Sequence, residues 1–564
     1  MNRLATLITG DRHVLEFACG TFVLLMMVGY FASIFPDAGY VTMYLNDVFG
    51  LMDATYRMLK GQIPSIDFSS LYGVSAYYPA VLGMHLGFEA VGGLAFGHFL
   101  TAASLLGLTI LVAYRRLATL PTLFLLVMIF LLVLVPQLFG GYSSDLTYAI
   151  YYTRHGWAAL SITLLFYLEP KTTSRKDAVM DIFALSLLLL YLFYLKIIFG
   201  LVALSFAAAN AVISKYNRQV SLLALLSFAV VFFAVSILTP YNAAYLNEIL
   251  TVFDRVAGEP ASLTDSLRAV FDYLDVMLLA LTALLVVYAI GPPRIYDGLF
   301  VLGCIVSALF IDMYSYAMPP GLPLMAMTFI VLGELARRAV RQSTAEEGNA
   351  RSQAGQLAIF GIVLALFAEP MIRTSVAMYV QFNGIAKARA QDQDDLAGIF
   401  VPALEDTNGK LARSSNPTAD EPRFLSYDLL TAAEYLPLVR EGVELLKTVD
   451  LADRPVMSFE QTNPFPMILG LKPTAYGYPL FFAEDKSIRS YLERVVRANN
   501  GDDADSSAWG SVSTFFSDAE YVMVPEQPHS PRHHRVVMAT YGPHLVRTYR
   551  QIARSDNWLL YGKR

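Results

Sequence analysis

Charge is what this sequence has least of. Asp, Glu, Lys and Arg make up 16% of its 564 residues, while 55% are hydrophobic and the mean hydropathy is +0.48. A soluble domain carries about 25% charged residues, so a soluble globular chain of this length is excluded. Cysteine is nearly absent. Cys19 and Cys304 each sit inside an apolar run and read as packing residues, not as a disulfide or a metal site. There is no Gly-rich nucleotide loop, no zinc-ligand spacing and no nucleophile elbow, and nothing points to nucleic acid. No internal repeat stands out, which weakens transporter folds built on inverted repeats. The net charge of −6 says little about partners, because the charges gather in loops and in the tail.

What is present is a ladder of apolar runs near the ~20 residues that cross a bilayer. The fold expected is a polytopic α-helical membrane protein. The first run, residues 14–35, is long for a signal-peptide core and lacks a small-x-small cleavage site, so it reads as an anchor that stays. Arg3 and Arg12 precede it and put the N-terminus in the cytoplasm. Residues 74–92 are apolar but hold His85, Glu89 and several glycines. Counting them as a span would place Arg115 and Arg116 outside, so they read as a shallow or re-entrant helix within the first outer loop, residues 36–96. Further spans follow at 97–114, 120–138, 157–167, 181–195, 197–213, 222–238, 277–290, 299–313, 324–335 and 357–376. That gives about eleven transmembrane helices and leaves nearly every basic cluster on the cytoplasmic side.

The domains expected are a membrane domain, 1–380, and an extracytoplasmic α/β domain, 381–564. Past residue 381 charge, Pro and Asn become common. DRPVMSF, AEYVMVP and NWLLYGK read as strands, while KSIRSYLERVVRAN and GPHLVRTYRQIARS have helical spacing. NNGDDADSSAWGS reads as an exposed loop, and Asn463-Pro464-Phe465-Pro466 as a turn or a rim segment.

Residues 46–79 break the apolar ladder. They hold Asp47, Asp53, Asp67, Arg57, Lys60 and a cluster of tyrosines. The order Asp47, Gly50, Ala54, Leu59, Gly61, Pro64, Asp67, Phe68, Tyr72, Gly73 resembles the first outer loop of the C-type (GT-C superfamily) membrane glycosyltransferases. The protein mannosyltransferases and the lipid A aminoarabinose transferases belong there. That resemblance implies an integral membrane enzyme moving a monosaccharide from a polyprenyl-phosphate donor to a cell-envelope acceptor (glycan, lipid or protein). The step would be an inverting displacement on the outer face of the cytoplasmic (inner) membrane, with the C-terminal domain periplasmic or otherwise extracytoplasmic. The family's essential acid falls on Asp47 and its second Asp on Asp67. Where the family has Gly-Pro or Pro-Pro, this chain has Gly73-Val74.

Transfer from a lipid phosphate needs a carboxylate to take the acceptor's proton and positive charge to meet the leaving phosphate. Asp47 is the candidate base, with a helix cap as its structural alternative. Asp67 is a second candidate, with a turn role as its alternative. The family faces its carrier phosphate with basic residues, for which Lys196, Arg154 and His155 are the candidates here. Lys196 lies between two apolar runs, where a cation is costly unless it reaches an interface or a polar cavity. Tyr72, Tyr77 and Tyr78 could stack on a sugar, or belong to an interfacial aromatic belt. Some family members pair two outer acids on a divalent cation. Asp47 and Asp145 would be that pair here, for Mg²⁺ or Mn²⁺. The stretch around Asp145 carries one acid and not an Asp-x-Asp pair, so metal-dependent and metal-free readings both stay open. The rival functions are a transporter or lipid flippase and a non-catalytic scaffold, with membrane lipids as partners in every case. A transporter would place charges deep within spans, whereas here they gather at one face.

Overall fold

The structure is a computed structural model. It describes residues 37–70, 72–137, 141–257, 274–290, 295–313, 322–341, 346–393, 395–402, 430–475, 516 and 518–564, with a few positions between 20 and 30. The run at 14–35 and the Pro-rich segment 316–323 lie almost wholly outside these residues. The helix expected at 486–499 and the loop at 499–511 lie wholly outside them.

The first half is helical. Strand β1 (Gly39–Tyr40) leads into α1 (Leu45–Leu59), α2 (Tyr78–His85), α3 (Ala90–Ala113), α4 (Thr119–Leu134), α5 (Tyr151–Leu164), α6 (Arg175–Leu195), α7 (Ile197–Asn210) and α8 (Lys215–Leu238). Then come α9 (Tyr241–Ala257), α10 (Leu274–Ile290), α11 (Ile295–Met313), α12 (Leu322–Arg341) and α13 (Glu346–Ala390). Among the described residues α3, α6 and α8 are long and apolar enough to cross a membrane. Their 21 to 24 residues give about 32–36 Å at 1.5 Å per residue. Sequence sets their ends. Ser174 and Asp177 form a reciprocal capping box at the start of α6, and Ser214 caps α8 through the amide of Asn217.

Residues 74–92 do not form one helix. A 3-10 turn at Val74–Ala76 precedes α2, whose eight residues cover only about 12 Å and cannot span a bilayer. The following helix starts at Ala90, seven residues before the expected 97. The loop expected at 239–272 contains α9 instead of open chain. Helix α13 runs 45 residues, past Pro370 and through position 380, so the change in composition there is not a break in the backbone.

Arg115 and Arg116, read from sequence as marking the cytoplasmic end of a span, are part of a buried network. Arg116 is 1% exposed and pairs with Asp181, itself 0% exposed; Arg115 pairs with the same carboxylate, and Tyr216 Oη donates to it at 2.7 Å. A single apolar-span reading of residues 181–195 hides this, because the acid lies within the first turns of α6.

The tail is a mixed four-stranded sheet in the order β3 (Val456–Ser458), β4 (Tyr521–Pro525), β6 (Trp558–Lys563), β5 (Tyr549–Arg554). β3 and β4 are parallel and the other pairs antiparallel. DRPVMSF, AEYVMVP and NWLLYGK each contain the strand expected. GPHLVRTYRQIARS is a correction: α16 (Pro531–Thr548) ends inside it and Tyr549–Arg554 turns into a strand. Pairing with β6 outweighs the local helical pattern there. The sequence reading also omitted α14 (Ala432–Lys447). Its capping box, Thr431 with Glu434, and its apolar spacing at Tyr435, Leu436, Val439, Val443 and Leu446 were present to be read. The short α15 (Phe465–Leu469) contains part of the Asn-Pro-Phe-Pro segment.

Among the described residues the tail meets the helical first half at β1 and along α1. β1 pairs in parallel with β2 (Ile399–Phe400), just beyond α13. The second contact is a stripe on α1. Asn46, Phe49, Asp53, Tyr56 and Arg57 fall at helical spacing on one face. Phe49 packs edge-on to Tyr435, Tyr56 Oη donates to Leu471 O at 2.9 Å, and Arg57 donates to Thr474 O at 2.6 Å while pairing with Asp53 at 2.8 Å.

Candidate active site

Asp47 lies in the first turn of α1, next to the docked stripe. Its carboxylate sits deep in the protein yet keeps some accessible surface, so it faces a crevice. Burial pushes its pKa up to about 7, and a hydrogen bond from Asn46 Nδ2, at 2.9 Å, works against that rise. A carboxylate half-ionised near neutrality suits a general base.

The phenols of Tyr72, from the outer loop, and Tyr152, from α5, lie within electrostatic reach of Asp47. Their rings stack with centroids 3.8 Å apart, and Tyr72 Oη donates to Tyr152 Oη. The ammonium of Lys196 lies 5.2 Å from the centroid of the Tyr152 ring, in cation–π range. Lys196 occupies the non-helical break between α6 and α7, and burial lowers its pKa to about 8. Acid and cation thus both lie near one tyrosine pair.

The loop that carries Tyr72 is fitted to that break. Gly73 N donates to Leu195 O at 3.2 Å, and Val74 N donates to Tyr241 Oη at 3.1 Å. A Cβ on Gly73 would lie 2.1 Å from Tyr194 O, so only glycine fits. Ser70 N donates to Glu248 of α9 at 2.8 Å. Helix α9, which the sequence reading left as loop, is therefore a wall of the site.

The other candidates fall elsewhere. Asp67 accepts from Ile63 N at 2.7 Å and closes the turn after α1, where Gly61 takes a positive φ of 89°. Tyr77 is 2% exposed and bonds to Ser70 Oγ at 2.9 Å; Tyr78 is 58% exposed. Arg154 follows Tyr152 by two residues, about 200° around α5, so it points away from Lys196. It is 1% exposed and neighbours Tyr30 and Tyr148, which line a small cavity with Ala38, Ala95, Pro136 and Gln381. His155 is buried against His98, Tyr151 and Tyr191.

Asp145 bonds to Ser144 Oγ at 3.1 Å, in a loop held by Thr42. Burial raises its pKa, with no contribution from Asp47, and none passes the other way. Two acids sharing a cation would sit close enough to perturb each other. Next to Asp47 stand an amide N–H and, beyond Tyr152, an ammonium, which are poor company for a divalent ion. Among the described residues no three His, Cys, Asp or Glu side chains gather as a ligand set. No hydrogen bond described here joins Asp47 and Asp145.

Asn46, Tyr152 and Gln461 were missed in the sequence. Tyr152 had a signal, standing among Tyr148, Tyr151 and Arg154; Gln461 had none.

No family model and no curated protein sequence matches the chain. Solved structures do. The chain is similar to ArnT from Cupriavidus metallidurans. The crystal structure of that protein bound to undecaprenyl phosphate covers 96% of this chain and 98% of its own, at 12% identity and a TM-score of 0.45. Its apo state gives 13% identity and the same TM-score and coverage. The oligosaccharyltransferase of Archaeoglobus fulgidus, in complex with zinc and sulfate, covers 93% of this chain and 69% of its own at 9% identity, with a TM-score of 0.35.

Proposed function

We propose that the chain is an integral membrane glycosyltransferase that moves a monosaccharide from a polyprenyl-phosphate donor to a hydroxyl of a cell-envelope acceptor. One observation carries the reading. A buried carboxylate with its pKa near 7 and a buried ammonium meet at the Tyr72–Tyr152 pair, on the loop whose residue order resembles the C-type glycosyltransferases.

The acceptor oxygen attacks the anomeric carbon from the face opposite the phosphate, and its proton passes to the Asp47 carboxylate. The bond from the anomeric carbon to the phosphate oxygen breaks, and the electron pair leaves with the polyprenyl phosphate. The Lys196 ammonium balances the charge that grows on that oxygen. Tyr72 and Tyr152 offer an aromatic face and a hydroxyl to the sugar. One displacement inverts the anomeric centre. Asp67 serves the turn after α1, and no step requires a metal.

The test is transfer of labelled sugar from a panel of polyprenyl-phosphate sugars to membrane acceptors. Wild type should transfer, and a folded Asp47→Asn protein should lose about 10²–10⁴ of the rate. Equal rates in both proteins would remove Asp47 from the chemistry. EDTA should leave transfer unchanged.

A further inference from the structure

Asn46 determines how the tail meets the acid. Its side chain is 3% exposed, and its Nδ2 carries two N–H groups that are both used. One goes to Asp47 Oδ1 at 2.9 Å and the other to Gln461 Oε1 at 3.0 Å, across 415 residues of chain. Gln461 is held in turn. The carboxylate of Glu460 accepts the backbone N–H of Gln461 at 3.2 Å and of His529 at 2.9 Å, while Asn463 Nδ2 donates to Val456 O at 2.8 Å.

An asparagine amide has two faces of similar shape and opposite polarity. Turned over, Asn46 would set its carbonyl oxygen against the Asp47 carboxylate, acceptor against acceptor. It would also face Gln461 Oε1 with that oxygen. Gln461 Oε1, on a backbone held by Glu460, accepts the second N–H, and this contact adds to the preference for the N–H orientation.

We propose that Gln461 and Asn46 are positioning residues for Asp47: the tail orients the Asn46 amide so that its N–H faces the carboxylate and favours its ionised form. This rests on the reading of Asp47 as the base. The C-terminal domain then forms part of the acid–base apparatus as well as a cover over it. The variants below substitute none of the other titratable groups of this region: Tyr72 on the outer loop and Tyr152 on α5, both near Asp47, Lys196 over the Tyr152 ring, Asp53 on the same helix and Glu460 beside Gln461.

The experiment uses the full chain in lipid nanodiscs and dicyclohexylcarbodiimide, which attacks protonated carboxyls. Adduct at Asp47 is read by peptide fragmentation across about pH 5 to 9, giving a protonation midpoint with no need of substrate. Gln461→Met keeps the side-chain length without the acceptor, and Asn46→Ala removes the donor. Each should raise the midpoint by about one unit, a tenfold change in the protonated-to-ionised ratio. The double variant should move it no further than Asn46→Ala alone, because the two act in series. Tyr56→Phe breaks a different bond between tail and α1 and should leave the midpoint where it was. In sugar transfer, Gln461→Met should shift the acid limb of the rate profile by the same amount and leave the donor KM unchanged. An unmoved midpoint in Gln461→Met, or an equal shift in Tyr56→Phe, overturns the proposal. Absence of transfer by wild type would count against the glycosyltransferase reading, while the labelling result still decides this one.

Discussion

Two perturbed groups set the expected pH behaviour at the residue scale. Asp47 must be ionised to accept a proton, so the rate should fall as pH drops through about 7. Lys196 must be protonated to meet the phosphate, so the rate should fall again as pH rises through about 8. The profile of kcat/KM should be a narrow bell between those limbs. A flat profile from pH 6 to 9, about one unit beyond each limb, would show that neither group controls the rate. Lys196→Met should remove the alkaline limb and cost about 10²–10³ in rate, as loss of a charge-stabilising group does. Arg154→Met lies on the other side of α5 and should leave both limbs in place, even if it alters stability. Residue order alone proposed Asp47. That Lys196 lies over the Tyr152 ring while Arg154 does not depends on helix phase, which a list of basic residues near span ends does not carry.

The elements that hold these residues are fitted without slack. Both site helices start from strained positions: Tyr44 before α1 and Ile150 before α5 have φ of 53° and 62°. A left-handed non-glycine costs of order 1–3 kcal/mol, more readily kept where surrounding packing dictates it. Gly73 is the tightest joint. Gly73→Ala would drive a methyl into Tyr194 O and push the Tyr72 loop off the break that carries Lys196. Transfer should drop at least tenfold and the melting temperature should fall; wild-type values for both would mean the loop moves aside freely. At the other end of the bundle, Asp181→Ala leaves Arg116 buried with no carboxylate and Arg115 with only Asp177, a loss of about 3–5 kcal/mol. Thermal unfolding in detergent would register it. Apolar runs gave the helices, but their breaks were harder to see. The pause at 86–89 and the extra α9 are set by packing against neighbours, and hydropathy averages over both.

For the whole molecule, the reading from sequence recovered a helical first half, a mixed tail and the strands around Val456, Tyr521 and Trp558. It treated the two halves as separate modules because composition changes near residue 381. The backbone does not follow that change: α13 continues to Ala390, β1 pairs with β2, and α1 carries the tail on a stripe of five side chains. Polar residues on that stripe looked like a solvated loop, since their partners lie more than 400 residues away. Arg57→Ala should therefore loosen the tail. It leaves Asp53 buried without its cation and removes the bond to Thr474. Faster proteolytic release of the tail from intact membranes is the expected result, and wild-type resistance would show that the other contacts suffice.

The bond between Asn46 and Gln461 also puts the finished site late in the life of the chain. A ribosome adds about 5–20 residues per second, so Gln461 is made roughly 20 to 80 seconds after Asn46. During that interval Asp47 is already translocated, in the topology read from the basic residues, beside whatever lipid carrier the membrane holds. Its amide neighbour still lacks the acceptor that turns it the right way. A nascent or prematurely ended chain would thus hold a poorly oriented acid, and competence would arrive only with about the last fifth of translation. Chains stalled before and after residue 461 would test the timing. Carbodiimide labelling of Asp47 at about pH 8, one unit above the midpoint of the finished site, should be stronger in the first set than in the second.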